Sequence, residues 1–162
     1  MDGFQQSGGD LIQPAPMFSG VLTHNLDPKK RLNIPANWRE QVGKPDRTFV
    51  MQGFDNEPCL YVFPMRIMAE RLSFLKNAKV SDPRYRTFTR TLGESSAELA
   101  WDSQGRIRIP DNLLEYAGLT GVVFMLGAAD RFELWHPDRR QSHKQGQESK
   151  ITIGHVAQEL GF

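Results

Sequence analysis

Two short stretches of this sequence carry the same reactive groups at the same spacing. Asp27-Pro28-Lys29-Lys30-Arg31 and Asp102-Ser103-Gln104-Gly105-Arg106 each place an aspartate four residues before an arginine, with turn-forming residue types in each stretch. An arginine fork donates two parallel hydrogen bonds to guanine O6 and N7, or to a phosphate. Lys29 and Lys30 beside Arg31, and Arg108 beside Arg106, add positive charge of the kind that holds phosphates and fixes register. A plainer arrangement uses the same residues. Asp27 and Asp102 can bridge Arg31 and Arg106 across their own turns and cap backbone N–H groups. Both aspartates are assigned that structural role; for the arginines, spacing alone leaves base contact and turn stabilisation open.

Other chemistries are poorly served. Cys59 sits inside the apolar run Cys59-Leu60-Tyr61-Val62-Phe63, where a thiol is expected to be inert packing. One cysteine allows no internal disulfide and fits a reducing compartment, and four scattered histidines give no metal-ligand spacing. No glycine-rich phosphate loop or nucleophile elbow occurs, so neither an enzyme nor a cofactor is expected. The net charge of +1 excludes a bulk polycation, and any nucleic-acid binding must come from local clusters. Lys29, Lys30, Arg31, Arg39, Lys44 and Arg47 form one such cluster, although a cluster alone reads equally as a solvated face. No apolar run approaches the roughly 18 residues of a membrane span, and the N-terminal segment lacks the basic start and apolar core of a secretory signal. A cytoplasmic location is expected.

The elements that must position the two turns are themselves duplicated. At a shift of 75 residues, Asp27, Arg31, Ile34 and Pro35 fall on Asp102, Arg106, Ile109 and Pro110. Asn37, Glu40, Gly43 and Phe49 likewise fall on Asn112, Glu115, Gly118 and Phe124. Alternating segments (18–26 and, less regularly, 95–101) lead into each turn. Leu32 and Ile34, or Ile107 and Ile109, then show the period of two of a half-buried strand. Pro35 and Pro110 end those strands and open short helices, which Gly43 and Gly118 terminate. Strands follow over 49–53 and 59–63, and over 122–126 and 131–135. The resulting division is a disordered extension 1–16, a first copy 17–64, a helical insert 65–93, a second copy 94–137 and a C-terminal extension 138–162. In the insert, Met65, Met68, Leu72 and Leu75 predict one helix face, and Ser81-Asp82-Pro83 predicts the start of a second helix ending at Gly93. Residues 139–150 read as polar and flexible, and 151–162 as a short amphipathic end. A unit of about 70 residues buries little apolar surface alone, so the copies are expected to share a core.

Met17-Phe18-Ser19-Gly20, Asn25-Leu26-Asp27 through Arg31, Ile34-Pro35, the second motif at Asp102 to Arg106 and the strand Phe132-Glu133-Leu134-Trp135 together resemble the MraZ family over residues 17–135. The resemblance implies an α+β fold: two SpoVT-AbrB domains in a swapped-hairpin β-barrel. It implies a ring-shaped homo-oligomer that binds double-stranded DNA at short direct repeats in a promoter. It also implies a nucleoid-associated regulator, usually a repressor, of its own division and cell-wall gene cluster. On this reading Arg31 and Arg106 present the DNA contacts, with Lys29, Lys30 and Arg108 beside them. The family's turn has glycine just before the arginine, as Gly105 provides. Lys30 stands there in the first copy, so either that turn differs in shape or the added cation offsets strain at a phosphate. An AbrB-like antitoxin that pairs with a protein partner is the alternative, against which the two copies in one chain argue.

Overall fold

The computed structural model describes residues 12–162. Of the expected extension, residues 1–11 lie outside that range. In the remainder, Gln13 Nε2 donates to Lys44 O at 2.8 Å, Arg66 Nη2 donates to Pro14 O at 2.9 Å, and Pro16 is buried.

The duplicated elements form where their patterns place them. The first copy contains β1 (Val21–Asn25), β2 (Arg31–Asn33), α1 (Ala36–Val42), β3 (Arg47–Gln52) and β4 (Cys59–Pro64). Then come α2 (Met65–Arg71) and α3 (Pro83–Glu94). The second copy repeats the order as β5 (Ser96–Ala100), β6 (Arg106–Arg108), α4 (Asp111–Ala117), β7 (Val122–Ala128) and β8 (Arg131–Trp135). Pro35 and Pro110 are the N-caps of α1 and α4, and Gly43 and Gly118, both at positive φ, terminate them.

Pairing interleaves the copies. Six antiparallel strands run in the order β1-β7-β8-β4-β3-β5, and β2 pairs with β6 as a separate ribbon. Thus β1 of the first copy adds to β7 of the second, with Val21 opposite Leu126, and β5 of the second adds to β3 of the first, with Arg47 opposite Ala100. Neither half owns a complete sheet. The fold is α+β, but the hydrogen-bonded strands do not close into the expected barrel. Each turn folds its strand back on itself, as Asp27 N–H donates to Arg31 O at 3.0 Å and Asp102 N–H to Arg106 O at 2.8 Å. The chain thereby leaves the six-stranded sheet at its β1 and β5 edges to build the ribbon.

The ribbon caps the main core. Leu32, Ile34, Ile107 and Ile109 are fully buried, with Trp38 and Val42 of α1, Leu113 of α4 and Phe132 of β8 packed in the same cluster. Met51, Cys59, Tyr61, Phe63, Met68 and Trp135 form a second cluster, and because Leu60 and Val62 face the main core from the same strand, β4 is buried on both faces.

Helical segments depart from expectation in three places. The predicted 65–75 helix ends at Arg71, and Ser73–Asn77 continues as a 3-10 turn. Helix α3 starts as predicted, with Asp82 accepting from Arg84 N–H at 2.8 Å, but runs through Gly93 to Glu94. Glycine within a helix lowers its stability without forcing an end at that residue. Residues expected to be flexible instead form α5 (Pro137–Gln145), with Pro137 in its first turn and His143 and Lys144 in its last. A final helix, α6 (Ile153–Glu159), matches the expected short C-terminal element.

Candidate nucleic-acid interface

The two turns are built alike, atom for atom. Asp27 Oδ1 accepts from the N–H groups of Lys29 and Arg31, both at 2.9 Å, while Oδ2 accepts from Arg31 Nε at 2.6 Å. Asp102 Oδ1 accepts from Gln104 N–H at 2.9 Å and Arg106 N–H at 3.0 Å, and Oδ2 from Arg106 Nε at 2.8 Å. Partial burial pushes the Asp27 pKa up, but the Arg31 N–H, the Arg31 guanidinium and the Lys29 N–H outweigh it and hold the carboxyl below the usual aspartate range. The Arg106 N–H is the main influence lowering Asp102, helped by Gln104 N–H and the Arg106 guanidinium against burial. Both carboxylates therefore stay ionised at neutral pH, and both ion pairs persist there.

Each pair uses Nε and leaves the Nη end of the fork for another partner. Arg31 and Arg106 are about one-quarter exposed at the side chain, 27% and 24%. Across the ribbon, Arg106 Nη1 also reaches to 3.8 Å from Asp27 Oδ2. The two guanidinium groups consequently meet at one carboxylate oxygen. Strand alternation places Arg31, Asn33, Arg106 and Arg108 on one face, above buried Leu32 and Ile107. Arg31 lies opposite Arg108, and Asn33 opposite Arg106. Spacing had left turn bridging and ligand contact as alternatives; through Nε and Nη the geometry accommodates both in one side chain.

Comparison with known proteins agrees with the duplication. The sequence profile of the MraZ protein family, described as antitoxin-like, matches residues 17–91 and again residues 93–156, one match over each turn. The chain belongs to the MraZ family. It is 36% identical over 147 residues to the transcriptional regulator MraZ of Halothermothrix orenii, an alignment covering 90% of this chain and 100% of that protein. It is similar at 40% identity over 119 residues to the protein of the same name from Desulforamulus reducens, covering 74% and 81% of the two chains. The corresponding Moorella thermoacetica protein is 37% identical over 127 residues, covering 78% of this chain and 86% of that one.

Within this MraZ chain the first turn has the same shape as the second despite its lysine. Lys30 has φ +63° and Gly105 φ +76°. The Lys30 ammonium lies 2.8 Å from Asp111 Oδ1, at the start of α4, and that contact holds the Asp111 carboxyl below its usual range. Left-handed backbone disfavours a side chain by about 1 kcal/mol. The Lys30–Asp111 pair is solvent-exposed and contributes little in return. Lys30→Gly is therefore expected to raise stability by up to about 1 kcal/mol, read as a small rise in the thermal midpoint. A lowered midpoint would mean the ion pair outweighs the strain.

Two residues near the turns escape sequence reading. Asn33 was findable, because it shares the strand parity of Arg31. Asp111 was not, and Arg39, though a member of the basic cluster, gave no sign of resting on the second turn, because their partners lie 81 and 66 positions away in the chain. Lys29 and Arg108 are exposed beside the forks. Cys59 is fully buried, and burial, with Glu133 and Glu57 nearby, pushes its thiol far above the usual range, so it is held as an unreactive packing group. Among the described residues no helix is long and apolar enough to cross a membrane, and no cluster of His, Cys, Asp or Glu is suited to a metal ion.

Proposed function

We propose that this chain is a DNA-binding transcription regulator that inserts the outer face of the β2–β6 ribbon into the major groove. A two-stranded ribbon fits that groove, and Arg forks read guanine there through O6 and N7. The observation that carries the reading is the pair of Nε-anchored forks, Arg31 and Arg106, meeting at Asp27 on a face that is otherwise Asn33 and Arg108. An aspartate that fixes the fork before DNA arrives lowers the ordering cost of each contact. Because the forks lie so close, they address neighbouring base pairs, while Lys29, Lys30 and Arg108 serve the flanking phosphates.

A chain of net charge +1 neutralises few phosphates by itself, so affinity requires several subunits on one duplex. The ring-shaped homo-oligomer and direct repeats belong to this proposal, as do location at the nucleoid and repression of its own division and cell-wall gene cluster. The relatives' printed name, transcriptional regulator, supports the regulatory role. Selection of bound sequences from random duplex DNA tests the whole reading. Short guanine-containing motifs should be enriched in one orientation, spaced about one helical turn, roughly 10 base pairs. A pool that remains random through successive rounds would overturn it.

A further inference from the structure

Arg39 belongs to neither turn, yet its guanidinium rests on the second one. A β-carbon on Gly105 would come within 2.6 Å of Arg39 Cζ, so this glycine leaves room for the cation as well as adopting positive φ. Arg39 Nε donates to Ile34 O at 3.1 Å, and Ile34 N–H in turn donates to Gly105 O at 3.0 Å. The side chain is thereby tied both to the end of β2 and to the turn that carries Arg106. Lys30, Arg31 and Arg106 each hold an aspartate, whereas Arg39 holds no carboxylate among the described residues.

We infer that Arg39 is a phosphate-contacting residue that flanks the Arg106 turn. The inference rests on reading the β2–β6 ribbon as the DNA surface. A ribbon seated in the major groove has a phosphate wall on either side, and a fixed, partly exposed cation on α1 beside the ribbon faces a wall rather than a base edge. The contact is one-sided. The repeat counterpart of Arg39 is Leu114, a core residue, and the corresponding lysine turn is engaged by Asp111 instead. The ribbon is thus nearly two-fold symmetric in its forks and polar in its flanks. Such a surface takes each half-site in one orientation, as repeats running in the same direction require.

The test measures affinity against salt concentration for a fluorescent duplex chosen from a random pool by the wild-type protein. Arg39→Gln should weaken binding about five- to tenfold on both the selected and a scrambled duplex, and the log–log salt slope should shrink by about one per bound subunit. Arg39→Lys should keep the slope. A folded Arg39→Gln protein with an unchanged slope overturns the inference. Methylphosphonate scanning of the same duplex with wild-type protein gives an answer even if Arg39→Gln fails to fold. Beyond the phosphates served by Lys29, Lys30 and Arg108, neutralising one phosphate on the flank beside the Arg106 turn should cost the same factor, with no counterpart on the other flank. Matching patterns on the two flanks, or no losses, overturn the inference. Arg31→Ala run in parallel separates the levels: normal binding by that variant removes the ribbon reading itself, whereas its loss alongside an unchanged Arg39→Gln slope removes only the role of Arg39.

Discussion

Arg31→Ala is expected to abolish sequence-specific DNA binding with the fold intact, and Arg106→Ala to do the same. Each fork contact with guanine is worth about 1–3 kcal/mol of discrimination. In an assembly with one such turn pair per subunit, the loss recurs at every half-site, so a change of a hundredfold or more in affinity for the selected duplex is expected. Stability should change little, for a reason visible in the turn. Asp27 would keep its hydrogen bonds from the backbone N–H groups of residues 29 and 31, which alanine retains, and lose only the Nε contact. Arg31→Lys is the sharper control. It preserves the charge, hence attraction to any duplex, but cannot form the two parallel bonds. Titrations on selected and scrambled duplexes should therefore converge for Arg31→Lys, while Arg31→Ala weakens on both. Wild-type discrimination by a folded Arg31→Ala or Arg31→Lys protein would show that Arg31 does not read base edges.

Much of this interface was legible in the sequence because its determinants are local. An aspartate four residues before an arginine, with turn residues between, specifies a turn whose side chain caps its own backbone, and both copies obey. Alternation placed Leu32 and Ile107 inward and therefore Arg31 and Arg106 outward. Pro83 after Asp82 likewise marked a helix start from two adjacent residues. What stayed hidden is long-range. Nothing near Gly105 announces that Arg39 will cover it, and nothing near Lys30 points to Asp111, because those contacts exist only once the copies interleave. The missed α5 is different: Pro137 stands in its first turn as Pro83 does in α3, but its cap is His136 rather than an aspartate. The polar run 139–145 gave no apolar stripe to follow. The first-turn lysine shows the limit of residue preference, since the hydrogen bonds of the turn impose positive φ on whatever residue stands there.

The ribbon holds its arginines only because its other face is anchored, so Ile107→Ala should have the largest effect on stability. Ile107 is fully buried opposite Leu32, at the centre of a ribbon only three residues long on each side. Removing its side chain beyond Cβ costs the lost transfer free energy plus a cavity term, together about 2–5 kcal/mol for a buried aliphatic residue. For a chain of this size that lowers the thermal midpoint by roughly 10 °C. Ile107→Val should cost only about 0.5–1.5 kcal/mol. Leu32→Ala should resemble Ile107→Ala, and the double variant should fall short of the sum because the two share one cavity. Below its midpoint the Ile107→Ala protein should still distinguish selected from scrambled duplex, since both forks and their aspartates remain, although with weaker affinity from a looser ribbon. Arg31→Ala should do the reverse, leaving the midpoint and losing the discrimination. A midpoint within about 2 °C of wild type for Ile107→Ala would mean that the ribbon is not seated on the core, and the fixed geometry of the two forks would lose its support.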